Sequence, residues 1–373
     1  MVEWKEYKLG DVANITSAKR IFYSEYVEDG VPFYRSKEII DKFNKRDVQT
    51  ELFISHERFQ AIQKQFGIPQ KDDILLTSVG TLGVPYLVKE KEIFYFKDGN
   101  LTWLRGINKD KVDPQYLFVW LQSKVGQQKL YEITIGSTQP ALTISGLKEI
   151  EISLPSLPEQ SVIAVIFRAI DDKIDLLHRQ NKILEALAET LFRQWFIEEA
   201  GDGIGKLGDV IELEYGKGLK EEVRTGTGFP VIGSSGVVGY HSDYMVEGPG
   251  IVIGRKGTLG KVIYLFENFF PIDTTFFVKS KVQSVGLFYE YFLLKTLNFQ
   301  NMNTDSAVPG LNRVIALSTE INKPSATKLK SYNEHCAALF KKLNQNATQI
   351  RTLTQLRDTL LPKLMSGEVR VSE

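Results

Sequence analysis

One long amphipathic stretch decides the fold. Residues 157–196 read LPEQSVIAVIFRAIDDKIDLLHRQNKILEALAETLFRQWF. Mostly apolar side chains recur in it on two seven-residue tracks, which are Ile170, Leu177, Leu184 and Leu191, and Ile174, Asn181, Ala188 and Trp195. A heptad seam of this kind predicts a long helix that pairs with another helix. Ser156 and Glu159 have the spacing of a capping box, which indicates where the helix begins.

The end of the chain carries a second stretch with the same pattern. Its two tracks are Leu339, Asn346, Leu353 and Leu360, and Leu343, Ile350, Arg357 and Leu364. Gly201 and Gly367 lie where the two helices would stop, and Pro362 is expected to kink or end the second helix early. Residues 158–200 carry 5 basic and 8 acidic groups, and residues 324–373 carry 8 and 4. Opposite net charge favours pairing of these two segments.

The helical stretches belong to a longer internal repeat. KLGDV occurs at residues 8–12 and 206–210, an offset of 198, and GTLG occurs at 80–83 and 257–260, an offset of 177. Residues 137–142 are echoed by 306–311 at an offset of 169, and the helices keep that offset. The offset changes only in the first part of each repeat. Each repeat therefore joins a part of variable length to a helix of fixed length.

This organisation predicts an α/β (α+β) protein with a pseudo-two-fold repeat. Short apolar runs at residues 73–77 and 250–254 are bounded by turn residues and predict mixed β structure in the variable parts. We expect globular domains at residues 1–157 (the first head) and 201–323 (the second head). Residues 158–200 and 324–373 would form two long helices, the second with a C-terminal tail. The helices would pair as an antiparallel coiled coil.

Composition excludes several classes of function. The chain has 46 basic and 46 acidic residues among 373, so it lacks the basic excess of a nonspecific nucleic-acid binder. The single cysteine, Cys336, allows no internal disulfide and fits a reducing cytoplasm. No signal peptide and no membrane-spanning run are visible. Four scattered histidines have no metal-ligand spacing. We therefore predict neither a catalytic residue nor a bound metal.

The best candidates for binding are local polar and glycine-rich loops. Glycines let a backbone approach phosphate closely, basic and hydroxyl side chains donate to it, and an arginine can take a guanine edge. The candidates are Lys19, Arg20, Arg35, Ser36, Lys37, Ser78, Thr81, Ser137, Thr138, Gln139, Lys217, Lys220, Ser234, Ser235, Arg255, Lys256 and Thr258. The simpler interpretation of each cluster is a solvated turn, and recurrence of the Gly-Thr-Leu-Gly loop in both heads makes that loop the strongest candidate for a function.

The whole chain resembles the specificity subunit of type I restriction–modification systems. The segments that carry this resemblance are KLGDV at 8–12 and 206–210, FPVIG at 229–233, GRKGTLG at 254–260, GSTQP at 136–140, LPSLPEQ at 154–160, LFRQWF at 191–196 and KLMSGE at 363–368. The first GTLG copy departs from the basic form, with Ser78-Val79 where the second has Arg255-Lys256. The second helix lacks the Pro-Glu-Gln start.

The resemblance implies a cytoplasmic, non-catalytic DNA-binding subunit. Each head would read one half of a split site in double-stranded DNA, and the helix pair would set the distance between the halves. Two modification subunits would bring S-adenosylmethionine and methyl transfer, and restriction subunits would bring ATP and magnesium. This chain would hold no cofactor of its own.

Three other hypotheses stay open at this stage. The chain could serve a modification enzyme that has no nuclease partner, it could be a repeat-built interaction scaffold that never meets DNA, or it could be a hydrolase with an unrecognised site. The helix seam carries one further prediction. Asn181 and Asn346 interrupt its apolar positions near the middle of each helix. We expect an antiparallel pair to bring them together, where they would help to fix the helix register.

Overall fold

The computed structural model describes residues 4–136, 138–199, 203–282, 286–299, 302 and 310–370. It divides into two compact units, residues 1–176 with 351–373 and residues 177–350. Each unit contains one head with a piece of both long helices, and each is described by itself below. None of the described helices is long and apolar enough to span a membrane.

The first head is built from strands with short helices between them. Its strands are β1 (Lys5–Lys8), β2 (Asn14–Ser17), β3 (Tyr26–Val27), β4 (Val31–Tyr34), β5 (Phe53–Ile54), β6 (Ile74–Thr77), β7 (Pro85–Leu87), β8 (Tyr95–Phe96), β9 (Leu101–Arg105) and β10 (Glu151–Leu154). Its α-helices are α1 (Leu9–Val12), α2 (Ser36–Phe43), α3 (His56–Gln65), α4 (Pro114–Gln122), α5 (Lys124–Glu132) and α6 (Ile144–Glu149). The main sheet has the order β2-β9-β6-β7, beside a smaller sheet β3-β5-β4-β8 and the pair β1-β10.

The second head repeats this plan between the two long helices, α7 (Leu157–Arg193) and α11 (Ala326–Met365). Its strands are β11 (Ile204–Lys206), β12 (Ile211–Tyr215), β13 (Phe229–Gly233), β14 (Gly236–His241), β15 (Gly250–Gly254), β16 (Val262–Leu265), β17 (Phe270–Pro271), β18 (Thr275–Ser280) and β19 (Glu320–Asn322). Its short helices are α8 (Leu207–Val210), α9 (Phe288–Thr296) and α10 (Arg313–Ser318). The main sheet is β12-β18-β15-β16, beside β14-β13-β17 and β11-β19. The predicted α/β repeat is confirmed.

The first copy of KLGDV shows why the motif recurs. Lys8 ends β1, its backbone N–H donates to Asp11 Oδ2 (3.1 Å), and α1 follows. In the second copy Lys206 N–H donates to Asp209 Oδ2 (3.0 Å) and α8 follows. The aspartate accepts one of the N–H groups that a helix start leaves without a partner. The motif is therefore a strand-to-helix corner rather than a binding site.

The long helices run antiparallel in each unit. In the first unit, Arg357 Nη1 lies 3.1 Å from Asp171 Oδ1, and the apolar core of the head takes in Phe167 from α7 together with Leu364 from α11. In the second unit, Tyr332 near the start of α11 donates to the carbonyl of Ala188 near the end of α7 (3.0 Å). Early residues of one helix thus meet late residues of the other, as the heptad pattern predicted.

The ends of the long helices differ in detail from the prediction. Ser156 Oγ accepts from Glu159 N–H (3.4 Å), which is one of the two bonds of the predicted capping box. After Arg193 the chain widens into a π-helical turn over Gln194–Glu198. The prediction that Pro362 ends α11 early is wrong, because the helix continues to Met365; a kink at Pro362 stays a prediction. Proline has no N–H to donate to the preceding turn, but the next turn is closed by Ser366 N–H to Pro362 O (3.0 Å). Gly367 follows with φ of 74°, while Gly201 lies outside the described residues.

Candidate DNA interface

The Gly-Thr-Leu-Gly loop has the same shape in both heads. Gly80 and Gly83 have φ of 80° and 74°, and Gly257 and Gly260 have φ of 76° and 69°. These left-handed values favour glycine, since a side chain would be strained there. In each head the last glycine closes the loop by donating to the final residue of the preceding strand, Thr77 or Gly254, at 2.8 Å. The sequence repeat therefore specifies one rigid loop, built twice.

A second repeated segment is bound to that loop in each head. The equivalent hydrogen bonds are Leu142 N–H to Ser78 O and Leu311 N–H to Arg255 O, both 2.9 Å. The equivalent β-bridges are Val79 with Ala141 and Lys256 with Gly310. These partners lie at offsets of 177 and 169, the values that the sequence gives for the two motifs. Two motifs about sixty residues apart in each repeat thus meet at one place.

We call this place the loop end of the main sheet. In the first head it is where β2 and β6 end and β9 begins, with Ser17 opposite Thr102 and Thr77 opposite Leu101. In the second head β12 and β15 end and β18 begins there. Among the candidate residues, Ser78 and Thr81 follow β6, and Arg255, Lys256 and Thr258 follow β15, so these five lie at the loop ends.

Arg255 is the most fixed cation at the loop end of the second head. Its Nη1 donates to the carbonyl of Asp273 (3.1 Å). Its Cζ lies 5.0 Å from the ring centre of Tyr215 and 5.6 Å from that of Phe276. An arginine packed on aromatic rings loses little freedom when it binds, because its planar group is already oriented.

The other candidates in the second head surround Arg255. Lys256 and Thr258 are exposed on the same loop, and Ser234 packs against Gly254 and Gly257. Backbone bonds of Gly216 to Thr275 and of Lys217 to Pro271 hold the exposed Lys217 beside the start of β18. Ser235 and Lys220 are exposed as well.

Sequence reasoning missed two basic side chains at this end. The Cζ atom of Arg313, the first residue of α10, lies 5.7 Å from the ring centre of Tyr215. Lys261 Nζ donates to the carbonyl of Ser235 (2.6 Å). Neither residue belongs to a recognisable motif. The signal that could have found Arg313 is its position two residues after the segment that repeats at an offset of 169.

The cations of the first head are partly neutralised by its own acids. Arg20 Nε lies 2.7 Å from Asp98 Oδ2, and Arg35 Nη2 lies 2.9 Å from Glu38 Oε1. Burial would raise the pKa of the Glu38 carboxyl, but hydrogen bonds from the side chain and backbone of Arg35 hold that pKa below its usual range. Arg35 thus pairs with the Glu38 carboxylate, whose side chain is only 1% exposed. It is therefore a weaker candidate for DNA binding than a cation with no acidic partner.

The remaining candidates of the first head divide by exposure. Lys19, Lys37, Thr81, Thr138 and Gln139 are exposed, and Ser36 Oγ donates to the carbonyl of Asn100 (3.4 Å). Ser137 lies outside the described residues. Ser78 is a correction. Its side chain is buried and bonded to Thr102 Oγ1 (2.6 Å) and to the carbonyl of Leu76 (3.1 Å). The Ser78 hydroxyl therefore cannot reach DNA.

Asn181 and Asn346 meet in the helix pair of the second unit. Asn346 is fully buried, and its Nδ2 donates to Asn181 Oδ1 (2.9 Å) and to Gln180 Oε1 (3.4 Å). Among the described residues, Asn346 Oδ1 has no hydrogen-bond partner. A buried amide that is only partly satisfied is costly relative to leucine. The contact is the one expected from the sequence, and its role in register stays a prediction.

That role can be tested by changing one asparagine or both. We expect Asn181→Leu alone to destabilise the chain by about 1–3 kcal/mol, because it leaves the Asn346 amide buried without its main partner. The double change N181L/N346L should raise the midpoint of thermal unfolding above that of the unchanged protein. It should also widen the range of spacer lengths methylated by the assembled complex. A lower midpoint or an unchanged spacer preference in the double variant contradicts a role in register.

The chain matches the family described as "Type I restriction modification DNA specificity domain" over residues 1–186 and again over 203–351. The chain belongs to this family. The two matches contain the first and the second head, so the internal repeat is a repeat of the specificity domain. Specificity subunits supply DNA recognition and are not themselves catalysts. Within the described residues, no three His, Cys, Asp or Glu side chains are grouped to hold a metal.

The similarity to known specificity subunits covers the whole chain for one relative and about half of it for another. It is 26% identical to the type I restriction enzyme MjaIX specificity subunit of Methanocaldococcus jannaschii, with 100% of this chain and 94% of the relative covered. It is 32% identical to a putative type I specificity subunit of Haemophilus influenzae, S.HindORF215P, over 49% of this chain and 43% of that protein. The fold resembles that of the S subunit from M. genitalium, with a TM-score of 0.67, 20% identity, and 97% and 96% of the two chains covered.

Proposed function

We propose that each head of this specificity subunit reads one half of a bipartite DNA target with the loop end of its main sheet. The observation that carries this proposal is that one rigid backbone end occurs in both heads with different side chains on it. Ser78 occupies in the first head the position that Arg255 has in the second. The two heads share one loop backbone but carry different side chains on it, which suits domains that read different DNA sequences.

The partners of the chain follow from this proposal. DNA and other restriction–modification subunits form the complex that the family name implies. We propose two modification subunits, which bring S-adenosylmethionine, and restriction subunits, which bring ATP and magnesium. The paired helices α7 and α11 would set the spacing of the two half-sites. Because its DNA partner lies in the cytoplasm, we expect the subunit to act there.

A DNA retention assay tests the proposal against a scaffold that never meets DNA. The chain, co-expressed with its modification subunits, is passed over immobilised duplex at several salt concentrations. We expect retention only when this chain is present. Lys256→Ala should weaken binding to all duplexes alike and lower the salt slope by about one, because an exposed cation on the loop touches phosphate.

Lys279→Ala is the matched control, since Lys279 lies on the same sheet away from the loop end. Its Nζ lies 3.7 Å from Glu214 Oε1. It should leave both affinity and salt slope unchanged. A complex that assembles but is not retained on any duplex would support the scaffold instead. Equal effects of the two lysine changes would remove the loop end from the interface.

A further inference from the structure

Four corresponding positions at the loop ends differ together between the heads. Strand pairing sets Ser17 opposite Thr102 in the first head and Tyr215 opposite Phe276 in the second. The shared loop bond makes Ser78 the counterpart of Arg255. Ile144 and Arg313 are each the first residue of the short helix that follows a capping Thr or Asn. Three small hydroxyl residues and an isoleucine are thus replaced by two aromatic rings and two arginines.

In the first head two of these small residues, Ser78 and Thr102, are bonded to each other in the interior. Ser78 Oγ and Thr102 Oγ1 are 2.6 Å apart and both side chains are buried. Ser17 Oγ accepts from Gly99 N–H (3.5 Å). Among these residues the hydrogen-bonding groups are directed at each other and at the backbone. None of these four positions of the first head, Ser17, Ser78, Thr102 and Ile144, carries a charged side chain.

In the second head the same positions carry two aromatic rings and two arginines that lie close together. The rings of Tyr215 and Phe276 are 4.9 Å apart, and Tyr215 keeps 47% of its surface exposed. Arg255 contacts both rings and the Asp273 carbonyl, while Arg313 contacts the ring of Tyr215. Within the described chain neither arginine forms an ion pair with a carboxylate. Two uncompensated guanidinium groups therefore share one exposed ring.

One edge of the Arg255 guanidinium makes no hydrogen bond within the described residues. Only Nη1 donates within the described residues, to Asp273, which leaves the N–H groups of Nε and Nη2 free on one side. Two parallel N–H groups match the O6 and N7 acceptors of guanine in the major groove. Base recognition needs a fixed direction, whereas contact with phosphate needs only charge. Arg255 has the fixed direction, and Arg313 is held by fewer contacts.

We infer that the second head reads a guanine through Arg255, that Tyr215 positions this arginine, and that Arg313 binds the neighbouring phosphate. This inference rests on the proposed function and adds the base class and the residues. The first head lacks this reader. The guanine therefore belongs to the half-site that changes when the second head, and not the first, is exchanged.

The test uses the complex with its modification subunits and duplexes of the target mapped by methylation. Each G·C pair in the half-site of the second head is replaced in turn by A·T, and affinity is measured at several salt concentrations. Arg255→Lys keeps the charge but loses the two-pronged edge. We expect it to weaken binding to the full target on the order of 10-fold, to abolish the preference at one guanine, and to leave the salt slope unchanged.

The neighbouring residues supply the matched variants. Arg313→Ala should weaken all duplexes alike and lower the salt slope by about one. Tyr215→Ala should reproduce part of the loss of preference at that guanine, and Tyr215→Phe, which keeps the ring, should restore it. Tyr215 is half exposed, so these variants are expected to fold.

The outcomes separate this inference from the proposed function. If the unchanged complex prefers its target and Arg255→Lys discriminates every guanine equally well, the inference is overturned while the proposed function stands. A half-site without guanine overturns it too. If the unchanged complex shows no preference for the target over unrelated duplex, the proposed function itself fails.

Discussion

Replacing Phe192 with alanine is expected to lower the free energy of unfolding by about 3–5 kcal/mol. The Phe192 side chain is fully buried where α7 and α11 meet the second head. Its ring centre lies 5.7 Å from Tyr289, 6.2 Å from Phe292 on α9 and 6.1 Å from Tyr332 on α11. The change would leave a cavity among rigid rings that cannot collapse into it.

Chemical denaturation of the full-length chain measures this effect. Ile183→Ala is the matched control, since it shortens an apolar side chain on the same helix that is 68% exposed. It should change the free energy of unfolding by less than about 0.5 kcal/mol. A loss below about 1 kcal/mol for Phe192→Ala, or equal losses for both variants, would show that the helices are not anchored to the second head through this cluster.

Exchange of the first head is expected to replace one half of the DNA target completely. Residues 1–157 would be substituted by the corresponding head of another specificity subunit, and the methylated sequence would be mapped. The core that contains Phe167 and Leu364 joins this head to both helices through apolar side chains. We expect the other half-site and the spacer length to stay the same.

Exchange of residues 201–323 is the reciprocal control and should alter only the other half-site. A change in both halves after either single exchange would contradict independent reading by the two heads. A change in spacer length would contradict the proposal that α7 and α11 alone set the distance.

The helices could be predicted because their heptad pattern lies within one short segment. The repeat could be predicted because identical short motifs occur twice in the sequence. A seven-residue period fixes which face of α7 is apolar, and together with antiparallel pairing it predicts the contact of Asn181 with Asn346 that the structure shows. Offsets of 177 and 169 were visible in the sequence, but their meaning was not. They mark the bridge between Lys256 and Gly310, which joins segments that are far apart in the chain.

Individual site residues were harder to predict, because a loop pattern does not say which way a side chain points. Ser78 and Arg255 occupy the same backbone position, yet one side chain turns into the sheet and the other lies against Tyr215. Arg313 belongs to no motif, and only the fold brings it to the same ring. The sequence predicts an early end at Pro362, but α11 completes a last turn to Met365 after it.

Methylation mapping of a host with and without this chain tests the central claim most directly. If the chain is the specificity subunit that reads a bipartite target, one split sequence with a fixed spacer should be methylated when the chain and its modification subunits are present. That methylation should vanish when this chain alone is removed. An identical methylation pattern in both hosts, with the modification subunits expressed, would contradict the account.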